Sequence, residues 1–175
     1  VLILTLGAWP VARATPYAMD AWHEYRQFPV LCDFQTSWQH LRWLTPGATI
    51  RTVCGVQDGT SVGRLCFPSD ASSGGTTVFK PLINDWSGYR RLCCEFSFVG
   101  DPIRVSTILQ IGEGDRITRV RCLDREFASG SHCLSIDLLS PQGERSGRID
   151  LSRVCGLDLR FTGLNGPRSI LLRRV

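Results

Sequence analysis

Residues 91–98 read Arg-Leu-Cys-Cys-Glu-Phe-Ser-Phe, and residues 103–111 read Ile-Arg-Val-Ser-Thr-Ile-Leu-Gln-Ile. In both stretches an apolar residue stands at every second position, which places the apolar side chains on one face of a β-strand. The same alternation recurs at 133–138 and at 157–162. Alternation repeated this often predicts sheets that each have one buried face.

The alternation assigns individual side chains to the two faces of each predicted strand. Seven are expected in the core: Leu92, Phe96, Leu109, Leu134, Ile136, Leu159 and Phe161. The intervening residues are expected to point outward, among them Arg104, Ser106, Ile108, Gln110, Asp158, Arg160 and Thr162.

Turns rich in Gly, Pro, Asp and Ser separate nine or ten short strands, and the only helical patterns after residue 30 are single turns at 36–43 and 150–154. The expected fold is all-β. It is a two-sheet antiparallel jelly-roll β-sandwich with a short N-terminal helical or apolar segment.

Composition limits the classes of function. The chain has 175 residues, of which 43% are hydrophobic, and this suits one domain with a substantial core. A net charge of +4 is too small to indicate a nucleic-acid partner, and none is expected. The sequence contains no G-x-S-x-G, H-E-x-x-H or P-loop motif, so no enzymatic activity is expected either.

The apolar residues 1–14 are too short to span a bilayer alone, which takes about 20 residues. Three interpretations stay open: the end of a transmembrane helix, the remnant of a secretory signal ending at the small-x-small run 12–14, or a buried segment. The first two place the rest of the chain outside the cytosol. Residues 15–29 are expected to form a helical connector, and residues 30–175 the β-sandwich.

The chain has eight cysteines: Cys32, Cys54, Cys66, Cys93, Cys94, Cys122, Cys133 and Cys155. No C-x-x-C pair occurs, which argues against a structural zinc site. Most cysteines stand where a strand would carry a small apolar residue, so they are expected to be buried thiols. One or two disulfides are the alternative in an exported chain. Cys93 and Cys94 are neighbours on a strand and must face opposite sides.

Three short segments resemble motifs of galactose-binding-like β-sandwich domains, which include carbohydrate-binding modules. Residues 28–35 (Phe-Pro-Val-Leu-Cys-Asp-Phe-Gln) with 41–43 resemble the opening strand, 85–92 (Asp-Trp-Ser-Gly-Tyr-Arg-Arg-Leu) a turn into a central strand, and 149–154 (Ile-Asp-Leu-Ser-Arg-Val) a later turn. Residues 168–175 stand where such domains end. The likeness covers roughly 28–175 and is nearest to the C-terminal domain of bacterial VanZ-like membrane proteins.

This resemblance implies a non-catalytic carbohydrate-binding-like module in the bacterial envelope. The module would be extracytoplasmic and membrane-anchored through its N-terminal segment, with a glycan or another envelope component as partner. The alternative is a structural or protein-interaction sandwich without a glycan site. The residues that the motifs imply to be structural are Asp33, Phe34, Trp43, Trp86, Tyr89 and Arg173.

Many domains of this kind hold a calcium ion between an acidic residue of the opening motif and an Asp of the last strand. Here Gln35 stands where Glu is usual, and Arg173 or a neighbour stands where the last-strand Asp is usual. Only Asp33 therefore offers a carboxylate. Calcium needs several oxygen ligands. We therefore expect no metal or other cofactor, and we expect Arg173 to pair with Asp33 instead.

Five residues are candidates for ligand binding. Trp38 is an aromatic residue in a polar segment, and aromatic rings stack on sugars. Arg104, Gln110, Arg119 and Arg121 would form a polar strip on one sheet face, where Arg side chains can pair with anionic groups.

The strongest argument for catalysis would be a pair of carboxylates facing each other across a cleft, as in glycoside hydrolases. Asp124 and Glu126 stand two residues apart on one predicted strand face. A glycan-active enzyme is therefore the third and weakest hypothesis.

Overall fold

The computed structural model describes residues 15, 18–19, 22, 25–26, 28, 30–35, 39–46, 48–54, 60–68, 74–113, 116–139, 149–164 and 168–175. In chain order the strands of this part are β1 (Trp43–Leu44), β2 (Thr49–Cys54), β3 (Ser61–Phe67), β4 (Gly75–Phe79), β5 (Arg91–Phe98), β6 (Ile103–Glu113), β7 (Arg116–Phe127), β8 (Gly130–Asp137), β9 (Val154–Thr162) and β10 (Arg168–Arg174). Two 3₁₀ turns, Gln39–Arg42 and Leu151–Arg153, lie within the predicted helical turns.

The strands form two antiparallel five-stranded sheets packed face to face, which confirms the predicted all-β sandwich. The front sheet has the spatial order β1, β4, β9, β6, β7, and the back sheet has the order β2, β3, β10, β5, β8. Consecutive strands are neighbours in the pairs β2–β3 and β6–β7, but several other neighbours are far apart in sequence, as β9 between β4 and β6 shows. The sheets therefore close only when distant segments meet.

A single hydrophobic core fills the space between the sheets. On β5 the burial alternates strictly, so that Cys94 is buried while Cys93 faces solvent. At most 7% of the surface of any predicted core residue is exposed, and these residues are Leu92, Phe96, Leu109, Leu134, Ile136, Leu159 and Phe161. The period-two pattern thus assigned the core correctly.

Two short turns of the Asp-x-Ser type have the same internal hydrogen bonds. In each, the Asp side chain accepts hydrogen bonds from the backbone N–H and the hydroxyl of the Ser two residues later, which joins Asp85 to Ser87 and Asp150 to Ser152. The Ser hydroxyl bond, followed by the backbone bond, holds the pKa of both aspartates below the usual value. These carboxylates therefore shape their own turns.

The backbones of the two turns also bond to each other. Trp86 N–H donates to Leu151 O at 2.8 Å, and Val154 N–H donates to Asn84 O at 2.9 Å. The buried Trp86 indole N–H donates to Ile83 O at 2.8 Å, so its polar atom is satisfied. Two of the three segments that carry the resemblance, 85–92 and 149–154, are therefore one structural unit.

The opening segment runs beside the chain end. Leu31 N–H and Cys32 N–H both donate to Val175 O, and Val175 N–H donates back to Cys32 O at 2.8 Å. This pairing places Phe34 in the core, where its ring stacks on Trp43 with the centroids 6.1 Å apart. The two ends of the sandwich are thus held together by backbone hydrogen bonds.

The N-terminal region is described only in part. Residues 15, 18–19, 22 and 25–26, all within the predicted connector, have helical backbone and are exposed. Residues 1–14 lie outside the described residues. In the described part of the chain, no helix has the length and apolar character needed to cross a membrane.

The seven described cysteines are free thiols, and their burial differs from the expectation. Three are buried, namely Cys32, Cys94 and Cys122, while Cys66 and Cys155 are half-buried and Cys93 and Cys133 are exposed. Burial raises the pKa of Cys94 to about 12 and that of Cys122 to about 11, so both stay protonated at neutral pH.

Replacing Gly63 by Ala should destabilise the sandwich. A Cβ atom at this position would lie 2.3 Å from ring atoms of the buried Phe34. Overpacking of this kind costs about 1–3 kcal/mol, so urea denaturation should show a lower midpoint. Gly88→Ala is the matched control, because a Cβ there meets no atom within 4 Å. Equal midpoints for the two variants would contradict the placement of Phe34.

Candidate functional site on the front sheet

The outer face of the front sheet, here called the front face, collects the charged side chains of three adjacent strands. Strand β6 runs between β9 and β7, and its outward residues have a partner on each side. Four rows of three residues cross the face, and each row is given in the order β9, β6, β7. The rows are Thr162, Arg104 and Glu126; Arg160, Ser106 and Asp124; Asp158, Ile108 and Arg121; and Gly156, Gln110 and Arg119.

The front face brings together four of the five residues predicted to bind a ligand. Arg104, Arg119 and Arg121 are exposed on it, and Gln110 lies among them. Trp38 lies outside the described residues. The polar strip that alternation predicted is thus a contiguous surface across β6 and β7.

An irregularity in the pairing of β6 with β7 brings opposite charges to the same face. On one side of it Ser106 pairs with Asp124, and on the other Ile108 pairs with Arg121. Strict alternation would put positions 121 and 124 on opposite faces. One extra residue on β7 shifts the alternation by one position. The shift therefore places Asp124 on the same face as Arg121, although the sequence pattern assigns the two residues to opposite faces.

Asp124 is the centre of a small charged network. Its carboxylate oxygens lie 3.9 Å from Nε of Arg104 and 3.9 Å from Nη1 of Arg121, and Ser106 Oγ donates to Oδ1 at 3.1 Å. Both guanidinium groups are more than half exposed, so each pair adds only about 0–1 kcal/mol to stability. The network holds two multidentate hydrogen-bond donors at a solvent-facing position.

A buried hydrogen bond lies beside this network. The side-chain amide of Gln110 donates to Oδ1 of Asp158 at 2.5 Å, and the two residues are only 5% and 2% exposed. Gln110 points outward as predicted, but the expectation that it lies on an exposed polar strip is wrong, since it is buried against Asp158. Ile108 and Asp158 also point outward as predicted, yet both are buried, because β6 and β9 are central strands with neighbours on both sides.

The position of Gln110 depends on a glycine. A Cβ atom at position 156 would lie 2.8 Å from Oε1 of Gln110, closer than real Cβ contacts come. The absence of a side chain at Gly156 leaves room for the amide to lie across β9. Gly156 therefore allows Gln110 to reach Asp158.

Arg160 has an unsatisfied donor on the same face. Its Nε is buried and has no hydrogen-bond partner in the structure. The register places Arg160 opposite Ser106, which in turn lies opposite Asp124. An oxygen atom of a bound molecule would satisfy this donor, since a buried donor without a partner costs about 1–3 kcal/mol.

Three aromatic residues that the motifs imply to be structural pack against the sandwich. Trp43 and Trp86 are buried, and Tyr89 is half-buried with its ring edge-to-face against Phe28 at 4.9 Å. In the stretches of the front face that the structure describes, no aromatic side chain points outward. Any ligand bound there by these residues must be held by polar groups.

At the position where the sequence resemblance raised the question of calcium, the structure describes Asp33 and Arg173. Asp33 Oδ1 accepts a hydrogen bond from the backbone N–H of Gln35 at 3.1 Å, and Arg173 is exposed. The described residues contain no group of three or more His, Cys, Asp or Glu side chains placed to hold a metal ion. The Asp33–Arg173 ion pair stays a prediction.

The carboxylates considered for catalysis do not face each other. Asp124 and Glu126 lie side by side on β7, and the remaining carboxylate of the front face, Asp158, is buried against Gln110. Two carboxyl groups on opposite sides of a scissile bond are needed for glycoside hydrolysis. The described part of the front face lacks that arrangement.

Replacing Gln110 by Ala should destabilise the protein because it removes the donor to the buried Asp158 carboxylate. The free energy of unfolding should fall by about 1–3 kcal/mol in chemical denaturation. Arg119→Ala, an exposed neighbour on the paired strand, should change it by less than about 0.5 kcal/mol. A neutral Gln110 variant would show that water replaces the amide without loss.

Comparison with known proteins shows a likeness in fold alone. No protein-family model matches the sequence, and no curated protein matches it. A family 11 carbohydrate-binding module from Clostridium thermocellum, solved with a β-1,3-1,4-mixed-linked tetrasaccharide, superposes with a TM-score of 0.60 at 14% identity. The match covers 83% of this chain and 91% of that module.

Two further solved structures also superpose on this chain. A family 22 xylan-binding domain from Paenibacillus barcinonensis matches with a TM-score of 0.51 at 10% identity, over 83% of this chain and 90% of that domain. An exo-β-agarase matches with a TM-score of 0.61 at 13% identity, over 83% of this chain but only 25% of the agarase chain. The chain therefore has the β-sandwich fold of carbohydrate-binding modules.

Proposed function

We propose that this protein is a non-catalytic carbohydrate-binding-like module that binds a glycan through the front face. The observation that carries the proposal is the cluster of Arg104, Arg121 and Arg160 around Ser106 and Asp124. The fold supports it, since structures with the same architecture include modules solved with a tetrasaccharide or described as xylan-binding.

The chemistry of the cluster suits oxygen-rich ligands. A guanidinium group carries five N–H donors, and Asp124 engages only part of those on Arg104 and Arg121. The remaining donors can bond to sugar hydroxyls or, in pairs, to a carboxylate or sulfate group. The buried Nε of Arg160 adds a donor that has no protein partner. Binding would be weak, because the described face offers hydrogen bonds without ring stacking.

The proposal includes a location. We propose that the module is extracytoplasmic and membrane-anchored in a bacterial envelope, in the manner of the C-terminal domain of VanZ-like proteins. The support is the resemblance of residues 85–92 and 149–154 to motifs of that family, together with the apolar character of residues 1–14. An anchor segment of this kind would belong to the membrane part of the protein and would add nothing to the sandwich core.

Deleting residues 1–14 should therefore leave the melting temperature of the remaining chain almost unchanged. Differential scanning calorimetry of the full and shortened chains provides the comparison. A fall of several degrees would mean that the segment is part of the core, and it would contradict the proposed anchor.

A second function has an observation in its favour. The described part of the front face has no outward aromatic ring, whereas sugars commonly stack on such rings. A structural or protein-interaction sandwich without a glycan site would have this property. A glycan array distinguishes the two functions.

The protein should bind at least one class of oligosaccharide on an array that contains mixed-linked glucans, xylans, agaro-oligosaccharides and uronate-rich glycans. Titration calorimetry with the best ligand should then show about tenfold weaker binding for Arg121→Ala, a loss of about 1.4 kcal/mol. Arg64→Ala is the matched control, because Arg64 is exposed on the outer face of the back sheet.

Trp38→Ala in the same titration tests the aromatic residue predicted from sequence. An array without any binding would favour the structural alternative. Release of new reducing ends from a bound glycan would contradict a non-catalytic role.

A further inference from the structure

Two exposed thiols lie close together on the outer face of the back sheet, away from the front face. Cys93 on β5 pairs with Ser135 on β8, and two residues along the strands Glu95 pairs with Cys133. Cys93 and Cys133 are therefore diagonal neighbours on one face of two adjacent strands. Both are exposed, whereas the other described cysteines are buried or half-buried.

The thiols are near enough to influence each other. Partial desolvation raises the pKa of Cys133, and the neighbouring Cys93 and Glu95 raise it further, with a side-chain hydrogen bond between the two thiols as an additional cause. Cys133 therefore keeps its proton at neutral pH more firmly than an isolated thiol. A thiolate is the reactive form, so Cys133 is a slow initiator of thiol chemistry.

We propose that Cys93 and Cys133 form a reversible disulfide by exchange with a small-molecule disulfide such as oxidised glutathione. The bond would cross-link β5 to β8 on the back sheet. This property is independent of glycan binding, since it uses residues of the other sheet.

The exchange proceeds in two balanced steps. The Cys93 thiolate attacks one sulfur of the small disulfide, which forms a mixed disulfide and expels one thiolate. Cys133 then loses its proton to solvent and attacks Sγ of Cys93, which forms the protein disulfide and expels the second thiolate. Two protein thiols are oxidised, and one small disulfide is reduced to two thiols.

The position in the sheet makes the bond reversible. Diagonal neighbours have Cα atoms about 7–8 Å apart, whereas a relaxed disulfide needs about 4.4–6.8 Å. Closure must therefore shift the backbone of β8 at Cys133 along the strand direction toward Cys93. Strand β8 can yield because it is the edge strand of the back sheet and pairs only with β5. A strained and exposed disulfide is readily reduced, so reduced glutathione should reopen it.

The test treats the native 175-residue chain with oxidised glutathione and blocks the remaining thiols. Non-reducing proteolysis and mass spectrometry then identify the cross-linked peptides. The expected product joins the peptide of Cys93 to that of Cys133, and addition of reduced glutathione removes it. Glutathione mixed disulfides without closure, or cross-links through other cysteines, would overturn the proposal.

Three variants sharpen the result. Cys93→Ser should abolish the cross-link completely, and its persistence through Cys94 in the same peptide would refute the assignment. Cys66→Ser is the matched control on the back sheet and should leave the cross-link intact. Glu95→Gln removes a charge that raises the pKa of Cys133, so the pH at which closure becomes fast should shift downward. An unchanged pH profile would contradict the role given to Cys133.

Discussion

The hydrogen bond from Gln110 to Asp158 is the interaction on which the arrangement of the front face depends. A carboxylate that is 2% exposed is costly to bury unless a donor meets it, and the Gln110 amide is that donor. The amide reaches it only because Gly156 has no side chain. Around this pair, strands β6 and β9 are buried on both faces, with apolar side chains toward the core and the polar pair on the outer side. Arg104 on β6 and Arg160 on β9 therefore project from two strands that this hydrogen bond joins on the same face.

Most of the fold follows from local pattern, because burial of one sheet face imposes a period of two. Phe96 and Leu109 lie in the core for this reason alone. The same pattern does not show which outward side chains are covered by their neighbours. Ile108 points outward as predicted, yet it is buried. The position of Phe34 in the core also cannot be predicted from the alternation of apolar and polar residues. Its backbone has φ of +58°, an uncommon conformation for a large residue, and its ring fills the space that Gly63 leaves on a distant strand.

The candidate site was partly predictable for a related reason. Alternation grouped Arg119 with Arg121, and it separately grouped Asp124 with Glu126, on what would be opposite faces of one regular strand. The irregularity opposite Thr107 and Ile108 joins the groups, and no turn residue or glycine marks it in the sequence of β7. The ion pairs of Asp124 and the unsatisfied Nε of Arg160 depend on register across three strands. Only the folded sheets bring these residues together.

The chemistry of the front face restricts the kind of recognition that it can perform. A platform of aromatic rings gains most of its affinity from apolar contact, which salt hardly changes. Guanidinium groups recognise oxygen atoms through directional and partly ionic bonds, which salt screens over about 8–10 Å. Because Asp124 already neutralises part of the charge of Arg104 and Arg121, an anionic group would meet the Asp124 carboxylate as well as the two guanidinium groups, whereas a neutral sugar hydroxyl can use the N–H donors that Asp124 leaves unoccupied. On the proposed function, these arginines therefore favour a ligand that accepts several hydrogen bonds over one that only stacks on a ring.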